Sequence, residues 1–116
     1  MSDNNCLFCK IVTGEIPANI VYEDDDVMAF DDIHPKAPVH KLIIPKKHIA
    51  TLNDLTNDDM PIVGKLLQTA KLLAAKFNIA ESGYRTVINC LDDGGQEVYH
   101  LHLHLLGGHR LRLPIG

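Results

Sequence analysis

Three histidines alternate with leucines near the carboxyl end of the chain. They are His100, His102 and His104, and Leu101 and Leu103 separate them. Because successive side chains of a β-strand point to opposite faces, an extended segment would place the three imidazoles on one face and the leucines on the other. The pattern therefore predicts a strand with one face for burial and one face for chemistry.

Two kinds of chemistry suit three neighbouring imidazoles, and a purely structural strand is a third interpretation. Imidazole titrates near neutral pH, so several rings side by side destabilise the fold whenever they become charged, which argues against a structural role alone. Three histidines can ligate zinc and leave a fourth position for water. They can also form a catalytic row that supplies a nucleophile and proton donors.

The loop before the histidines favours an anionic ligand. Gly94 and Gly95 allow the backbone to approach a ligand closely, and Gln96 brings an amide donor to the head of the predicted strand. A glycine pair is weak evidence alone, but its position next to the histidines favours the catalytic interpretation.

Size and composition predict one small globular domain over residues 1–116, with a core at about 6–108 and a tail at 109–116. The 116 residues are 46% hydrophobic, and the formal net charge of -4 argues against a protein that coats nucleic acid. We see no secretory signal and no apolar run of about 18 residues, the length of a membrane span. Three cysteines are too few for a disulfide framework, so we expect a cytoplasmic protein with no membrane or nucleic-acid partner.

The hydrophobic pattern predicts the elements that must position these residues. In chain order they are a short helix at 6–12, strands at 20–23, 27–30 and 41–44, a main helix from 56 to 77, and a strand at 84–90. Gly14 should end the short helix, and Thr56 should cap the main helix. We expect the strand at 84–90 and the histidine strand to form the centre of an antiparallel sheet.

A Cys-x-x-Cys pair, Cys6 and Cys9, lies in the predicted short helix. The pair suits two small core residues, a role that cysteine often fills. It also suits half of a tetrahedral zinc site, because two residues at this spacing can converge on one ion. The spacing alone does not choose between the two.

The segment at 94–108 resembles a known family motif. It reads Gly-Gly-Gln-Glu-Val-Tyr-His-Leu-His-Leu-His-Leu-Leu-Gly-Gly and is similar to the His-x-His-x-His-x-x motif of the histidine triad (HIT) superfamily, where x is apolar. Further matches at 15–17, 29–33, 37–38 and 43–48 extend the resemblance from about Cys6 to Gly108. The chain most resembles the bacterial type of small histidine triad nucleotide-binding protein, a branch that hydrolyses nucleoside phosphoramidates.

The resemblance implies an α+β, HIT-like fold: a five-stranded antiparallel sheet with one main helix and a short N-terminal helix, paired as a homodimer. It implies hydrolysis of purine nucleoside phosphoramidates, of the adenosine 5′-monophosphoramidate type, through a nucleotidyl-histidine intermediate. His102 would be the nucleophile, and His104 would donate to the phosphate or the bridging atom. His100 and His40 would orient the row.

The resemblance also implies which residues hold the nucleotide. Asp32 matches a ribose-binding aspartate, Ile33 an apolar contact to the base, and Asn89 a contact to the phosphate or ribose region. The groups implied around the phosphoryl oxygens come from the loop at Gly95, Gln96, Glu97 and Val98. We expect the Glu97 carboxylate to favour amine or ammonium leaving groups.

Members with a Cys-x-x-Cys pair resemble one another in binding structural zinc through two further histidines. Here these would be His48 and His100, beside Cys6 and Cys9. The chemistry itself would need no cofactor. The alternative function is a nucleotide-binding regulatory module with vestigial activity.

Overall fold

The computed structural model describes residues 5–112, which form two helices and one sheet. The elements are α1 (Leu7–Thr13), β1 (Ile20–Glu23), β2 (Val27–Asp31), β3 (Val39–Pro45), α2 (Met60–Lys76), β4 (Tyr84–Val87) and β5 (Leu103–Gly107). The five strands pair antiparallel in the order β1-β2-β3-β5-β4. The predicted α+β fold, with a five-stranded antiparallel sheet, a main helix and a short N-terminal helix, is confirmed. Residues 113–116 of the predicted tail and residues 1–4 lie outside the described part.

The strands β2 and β3 are mostly buried because each of the two helices packs over one face of the sheet. In β2, Val27 and Ala29 pack into the cluster that includes α2, whereas Met28 and Phe30 pack into the cluster that includes α1. Because both faces of β2 are buried, its sequence is a continuous run of hydrophobic residues and does not alternate between hydrophobic and polar ones. The leucines between the histidines, Leu101, Leu103 and Leu105, belong to the α2 cluster.

The helix ends follow the predicted signals. The Cys6 side chain caps α1 by accepting a hydrogen bond from the Cys9 amide, and Gly14 ends the helix in the left-handed conformation with φ of 86°. Thr56 and Asp59 form a reciprocal capping box around the 3-10 turn Asn57–Asp59, which runs directly into α2. The predicted cap therefore starts the 3-10 turn, and the α-helix itself begins four residues later, at Met60.

The prediction for the centre of the sheet was wrong. β3 occupies the centre, with β2 on one side and β5 on the other, and β4 lies at an edge. The burial of the strands explains this order, since β3 is mostly buried along seven residues whereas β4 alternates between exposed and half-buried positions. An edge position suits such a strand because only one of its sides is paired.

The histidine strand is shorter than predicted. β5 begins at Leu103, so His104 lies within it, whereas His100 and His102 precede it. The ladder with β3 ends at the pair Ile43 and Leu103, and two residues further along β3 the Pro45 carbonyl bonds the His100 ring at 2.7 Å. Within residues 5–112, no helix combines the length and apolar character needed to cross a bilayer.

Candidate active site

Three imidazoles form a row on the α1 face of the sheet. Two of them, His102 and His104, come from the His-x-His-x-His segment, and the third is His40 instead of His100. The rings of His102 and His104 lie 4.9 Å apart between centroids, and the His40 ring lies 5.2 Å from that of His104. His40 comes from β3, where it stands opposite Leu106 of β5. The His100 ring points away from this row toward the two cysteines of α1.

Backbone groups determine which ring nitrogens of His40 and His104 carry protons. The Lys36 backbone N–H donates to His40 Nδ1 at 3.0 Å, so in the neutral ring the proton is on Nε2. His40 Nε2 lies 3.0 Å from His104 Nδ1 and 3.4 Å from an Asp32 oxygen. His104 Nδ1 is therefore an acceptor, and His104 Nε2 carries the proton.

The same reasoning gives His102 the opposite tautomer. His102 Nδ1 lies 2.7 Å from the His100 carbonyl oxygen, which can only accept, so Nδ1 carries the proton. Nε2 then holds a free lone pair. The Phe8 ring packs edge-on against His102 with centroids 5.1 Å apart and fixes the ring from the side of α1. His102 thus presents a nucleophilic nitrogen next to the His104 donor.

Burial keeps the row uncharged at neutral pH. Desolvation lowers the pKa of His104 to about 4, with a further lowering from His102 and His40, while the Asp32 carboxylate opposes the shift. The pKa of His40 and that of His102 are lowered for the same first reason. Neutral rings preserve both the lone pair of His102 and the alternating donor and acceptor pattern.

The His104 shift predicts a pH-dependent loss of stability. Between pH 6.5 and about 4 the unfolded chain binds a proton at His104 that the folded chain does not bind, so the free energy of unfolding falls as the pH is lowered through this window. Replacing His104 with glutamine removes that proton. We expect the drop in unfolding free energy from neutral pH to pH 5, measured by urea denaturation, to shrink by about 2 kcal/mol. An unchanged drop would contradict the shifted pKa.

A cavity of about 290 Å³ opens beside the row, between α1 and the sheet. His102 and His104 line this cavity together with Asp32 and Glu97. The rest of the wall is mainly apolar and includes Phe8, Ile11, Phe30, Ile33, Leu42 and Val98. The cavity can therefore hold a ligand that combines an apolar group with a polar reacting group.

The residues predicted for the ribose and base lie at this cavity. Ile33 lines it and is 84% exposed, which leaves its side chain available to a ligand. One Asp32 oxygen accepts the backbone N–H of His34 at 2.8 Å, and the other faces His40. Asn89 lines a second cavity instead, and its side-chain amide donates to the Gly94 carbonyl at 2.7 Å.

The loop before the histidines is held by its own hydrogen bonds. The Gln96 side chain donates to the carbonyls of Ala50 and Val98 and accepts from the Leu91 amide, and the residue is buried. The N–H of Gln96 donates to Leu91, and that of Gly95 to the Asp92 carbonyl. These groups thus fix the loop and do not point at a ligand, whereas Gly95, Glu97 and Val98 line the first cavity.

The glycine pair serves the loop in two different ways. A Cβ on Gly94 would lie 2.5 Å from the backbone oxygen of Cys90, so only glycine fits there. Gly95 has φ of +77°, a conformation that other residues rarely adopt. We predicted that the glycine pair lets the backbone approach a ligand closely. In the structure, Gly94 instead lets the backbone approach Cys90 of the same chain.

A second cluster brings together the four residues predicted to bind zinc. Cys6 Sγ lies 3.3 Å from His100 Nδ1, and Cys9 Sγ lies 3.6 Å from the same atom. Cys9 Sγ also lies 3.3 Å from His48 Nδ1. All four candidate ligand atoms are within 4.8 Å of one another, and three of the four residues are buried.

The cluster has the dimensions of a tetrahedral zinc site. With bonds of about 2.3 Å to sulfur and about 2.0 Å to nitrogen, tetrahedral ligands place sulfur and nitrogen about 3.5 Å apart. The observed separations of 3.3 to 3.6 Å match this value. His100 Nε2 donates to the Pro45 carbonyl, which leaves Nδ1 as the ligand nitrogen and supplies the outer hydrogen bond typical of metal-binding histidines.

Sequence reasoning missed three residues that hold the two clusters. Lys36 fixes the His40 tautomer through its backbone, Pro45 orients His100, and Phe8 packs against His102. Lys36 and Pro45 act through peptide groups, which every residue has. Their roles therefore cannot be predicted from the residue type. The position of Phe8 between Cys6 and Cys9 is the one sequence signal that was available.

Comparisons with known proteins agree with this geometry. The family model for the HIT domain matches residues 13–111. The chain is 54% identical over 110 residues to an uncharacterized HIT-like protein of Synechococcus elongatus. The aligned segment covers 95% of this chain and 96% of that protein. It is 50% identical over 105 residues to the purine nucleoside phosphoramidase of Escherichia coli K12, spanning 90% of this chain and 88% of that enzyme.

A solved structure has the same fold as this chain. The HIT family hydrolase from Legionella pneumophila is 57% identical and has a TM-score of 0.93, with 97% of this chain and all of that chain covered. A fold of this kind, with a histidine row at the edge of a cavity, defines a histidine triad protein. The chain belongs to the HIT domain family, and its relatives include hydrolases.

Proposed function

We propose that this protein hydrolyses purine nucleoside phosphoramidates of the adenosine 5′-monophosphoramidate type. The observation that carries the proposal is the pair of complementary tautomers on one cavity, with a lone pair on His102 Nε2 and a proton on His104 Nε2. A displacement at phosphorus needs these two groups, a nucleophile and a donor for the leaving nitrogen. The 50% identity to a purine nucleoside phosphoramidase adds support for the nature of the bond.

The proposed reaction has two displacements. The lone pair of His102 Nε2 attacks the α-phosphorus, and the electron pair of the P–N bond leaves with the nitrogen, which takes the proton of His104 Nε2. Water then attacks the phosphorus of the nucleotidyl-histidine, returns a proton to His104 Nε2, and releases the nucleotide from His102. One water is consumed, and the products are a nucleoside monophosphate and an amine.

The surrounding residues bind and orient the substrate in this proposal. The base packs against Ile33, and the Asp32 carboxylate accepts hydrogen bonds from the ribose hydroxyls; the observation in support is that both residues line the same cavity. The Lys36 N–H fixes the tautomer of His40, and the hydrogen bond from His40 Nε2 then fixes the tautomer of His104. His100 supplies the carbonyl that fixes the His102 tautomer and is a positioning residue.

An assay with purified protein tests the function. We expect multiple-turnover release of AMP and ammonia from adenosine 5′-monophosphoramidate, at a kcat of about 1 per second or above. Diadenosine polyphosphate serves as the comparison, because a P–O substrate lacks the leaving nitrogen that His104 protonates. Faster cleavage of the polyphosphate than of the phosphoramidate would contradict the assignment of the bond.

We also propose that Cys6, Cys9, His48 and His100 hold a structural zinc ion. The distances and the chemistry of two cysteine sulfurs and two imidazoles support zinc over harder cations. When bound, the ion would fix α1 to the segment before β5 and take no part in the reaction. A reducing compartment such as the cytoplasm, where we expect the protein, would keep both thiols available.

The homodimer stays a prediction. Two features of the described residues support it: β4 is an edge strand, and Leu67 and Leu72 of α2 are exposed. An edge strand offers unpaired backbone groups, and exposed leucines offer apolar area to a second copy.

A further inference from the structure

A second and larger cavity, of about 810 Å³, lies on the other side of His104. The two cavities share a rim made of Asp32, His34, Glu97 and His104. His102 lines the first cavity and is absent from the wall of the second. In the proposed reaction, a group that leaves opposite His102 and is protonated by His104 therefore moves toward the second cavity.

The strand register places Arg85 on the wall of this cavity. Arg85 of β4 stands opposite Leu106 of β5, which in turn stands opposite His40 of β3. Opposite residues of antiparallel strands share a face, and Leu106 and His104 share a face because they are two positions apart. Diagonal neighbours of this kind are about 7–8 Å apart at their backbones, a distance that an arginine side chain spans.

Three cationic side chains line the second cavity: Lys36, Arg85 and Arg112. Among residues 5–112, none of the three forms an ion pair, whereas Lys41, Lys46, Lys47 and Lys65 all do. The same wall carries two carboxylates, Asp32 and Glu97, and one Asp32 oxygen is held by the His34 amide. The wall therefore offers an excess of positive charge to whatever enters.

We propose that the second cavity is a leaving-group site that selects amines bearing a carboxylate, with Arg85 as its principal specificity residue. This inference rests on the proposed function. Arg85 is the best placed of the three cations because it is half-buried on a paired strand, whereas Lys36 and Arg112 are exposed. A guanidinium can bind a carboxylate through two parallel hydrogen bonds.

The substrate class that follows is an amino acid joined to the nucleotide through its amino nitrogen. The P–N bond then lies at the His102 and His104 pair, and the carboxylate extends toward Arg85. This differs from the expectation based on Glu97 alone, which favoured amine or ammonium groups. Glu97 is exposed, and it and Asp32 line a wall that also carries three cations, so the summed charge of the wall favours an anion.

Two matched substrates test the proposal. They are the adenosine 5′-phosphoramidates of β-alanine and of β-alaninamide, which differ only in a carboxylate against a carboxamide. We expect kcat/KM for AMP release to be higher for the acid by about tenfold, the factor that a single charge-assisted hydrogen bond supplies. Arg85→Gln should bring the ratio of the two values close to one. Raising the ionic strength from about 0.05 to about 0.5 M should lower the wild-type ratio, because the carboxylate is recognised through charge.

Arg110→Gln is the matched control, since Arg110 is exposed and does not line the cavity. Its ratio should equal that of the wild type. Lys36→Gln, at an exposed position, gives a second variant if Arg85→Gln does not fold, and it should lower the ratio in the same direction. A wild-type ratio near one, or a ratio that Arg85→Gln leaves unchanged, overturns the inference. Failure to hydrolyse any phosphoramidate, including the unsubstituted one, would instead overturn the proposed function.

Discussion

Replacing His102 with alanine is expected to lower kcat/KM for AMP release from adenosine 5′-monophosphoramidate by at least about four orders of magnitude. The reason is that His102 Nε2 is the neutral nitrogen with a free lone pair at the cavity, since its Nδ1 proton is held by the His100 carbonyl. Nucleotide binding should persist, because the apolar wall and Asp32 remain. AMP affinity measured by calorimetry and AMP release measured by chromatography separate the two effects.

Trapping and rescue make this prediction specific to His102. Acid quenching of the wild type during turnover should yield a nucleotidyl adduct that peptide mass spectrometry maps to His102. Added imidazole should restore part of the activity of His102→Gly. An adduct on His104, or a His102→Ala variant with a tenth of the wild-type rate, would contradict the assigned nucleophile. Tight AMP binding with negligible wild-type turnover would favour the regulatory alternative.

Loss of the zinc ligands is expected to have the largest effect on stability. The wild type should contain one zinc ion per chain by elemental analysis, and Cys9→Ser should lower the Tm by about 10 °C or more, because zinc binding contributes directly to the free energy of folding. The physical reason is that the ion would link α1 to His100 and His48, which lie far apart in the sequence. Scanning calorimetry with and without a chelator measures the effect.

Cys90→Ser is the matched control, because Cys90 is the third cysteine and lies outside the cluster. Its zinc content and Tm should remain those of the wild type. Equal melting temperatures for Cys9→Ser and Cys90→Ser, together with an absence of bound zinc in the wild type, would refute the site.

The elements that follow from local periodicity could be predicted from the sequence. The leucines between the histidines are buried as their alternation predicts, and Gly14 ends α1 as predicted, whereas Thr56 caps the 3-10 turn that leads into α2 rather than α2 itself. The four members of the Cys/His cluster also come together, although 94 residues separate Cys6 from His100. Their grouping was available only through family resemblance, because spacing along the chain carries no information about such distant contacts.

Features that depend on backbone partners could not be predicted. The His100 ring, which precedes β5, bonds the carbonyl of Pro45, a residue 55 positions away in the sequence. The Gln96 amide is used inside its own loop, since three backbone groups that lie close only in the fold surround it. The order of the sheet was also missed, because the burial of a strand on both faces depends on which helix reaches each face.

His100 connects the two clusters through different parts of one residue. Its ring faces the cysteines and Pro45, whereas its peptide oxygen holds His102. A peptide oxygen survives every substitution, so an evolving lineage could replace the Cys/His cluster while keeping the hydrogen bond that fixes the His102 tautomer, provided that a new side chain filled the vacated space. The two halves of the site are therefore free to follow separate evolutionary histories.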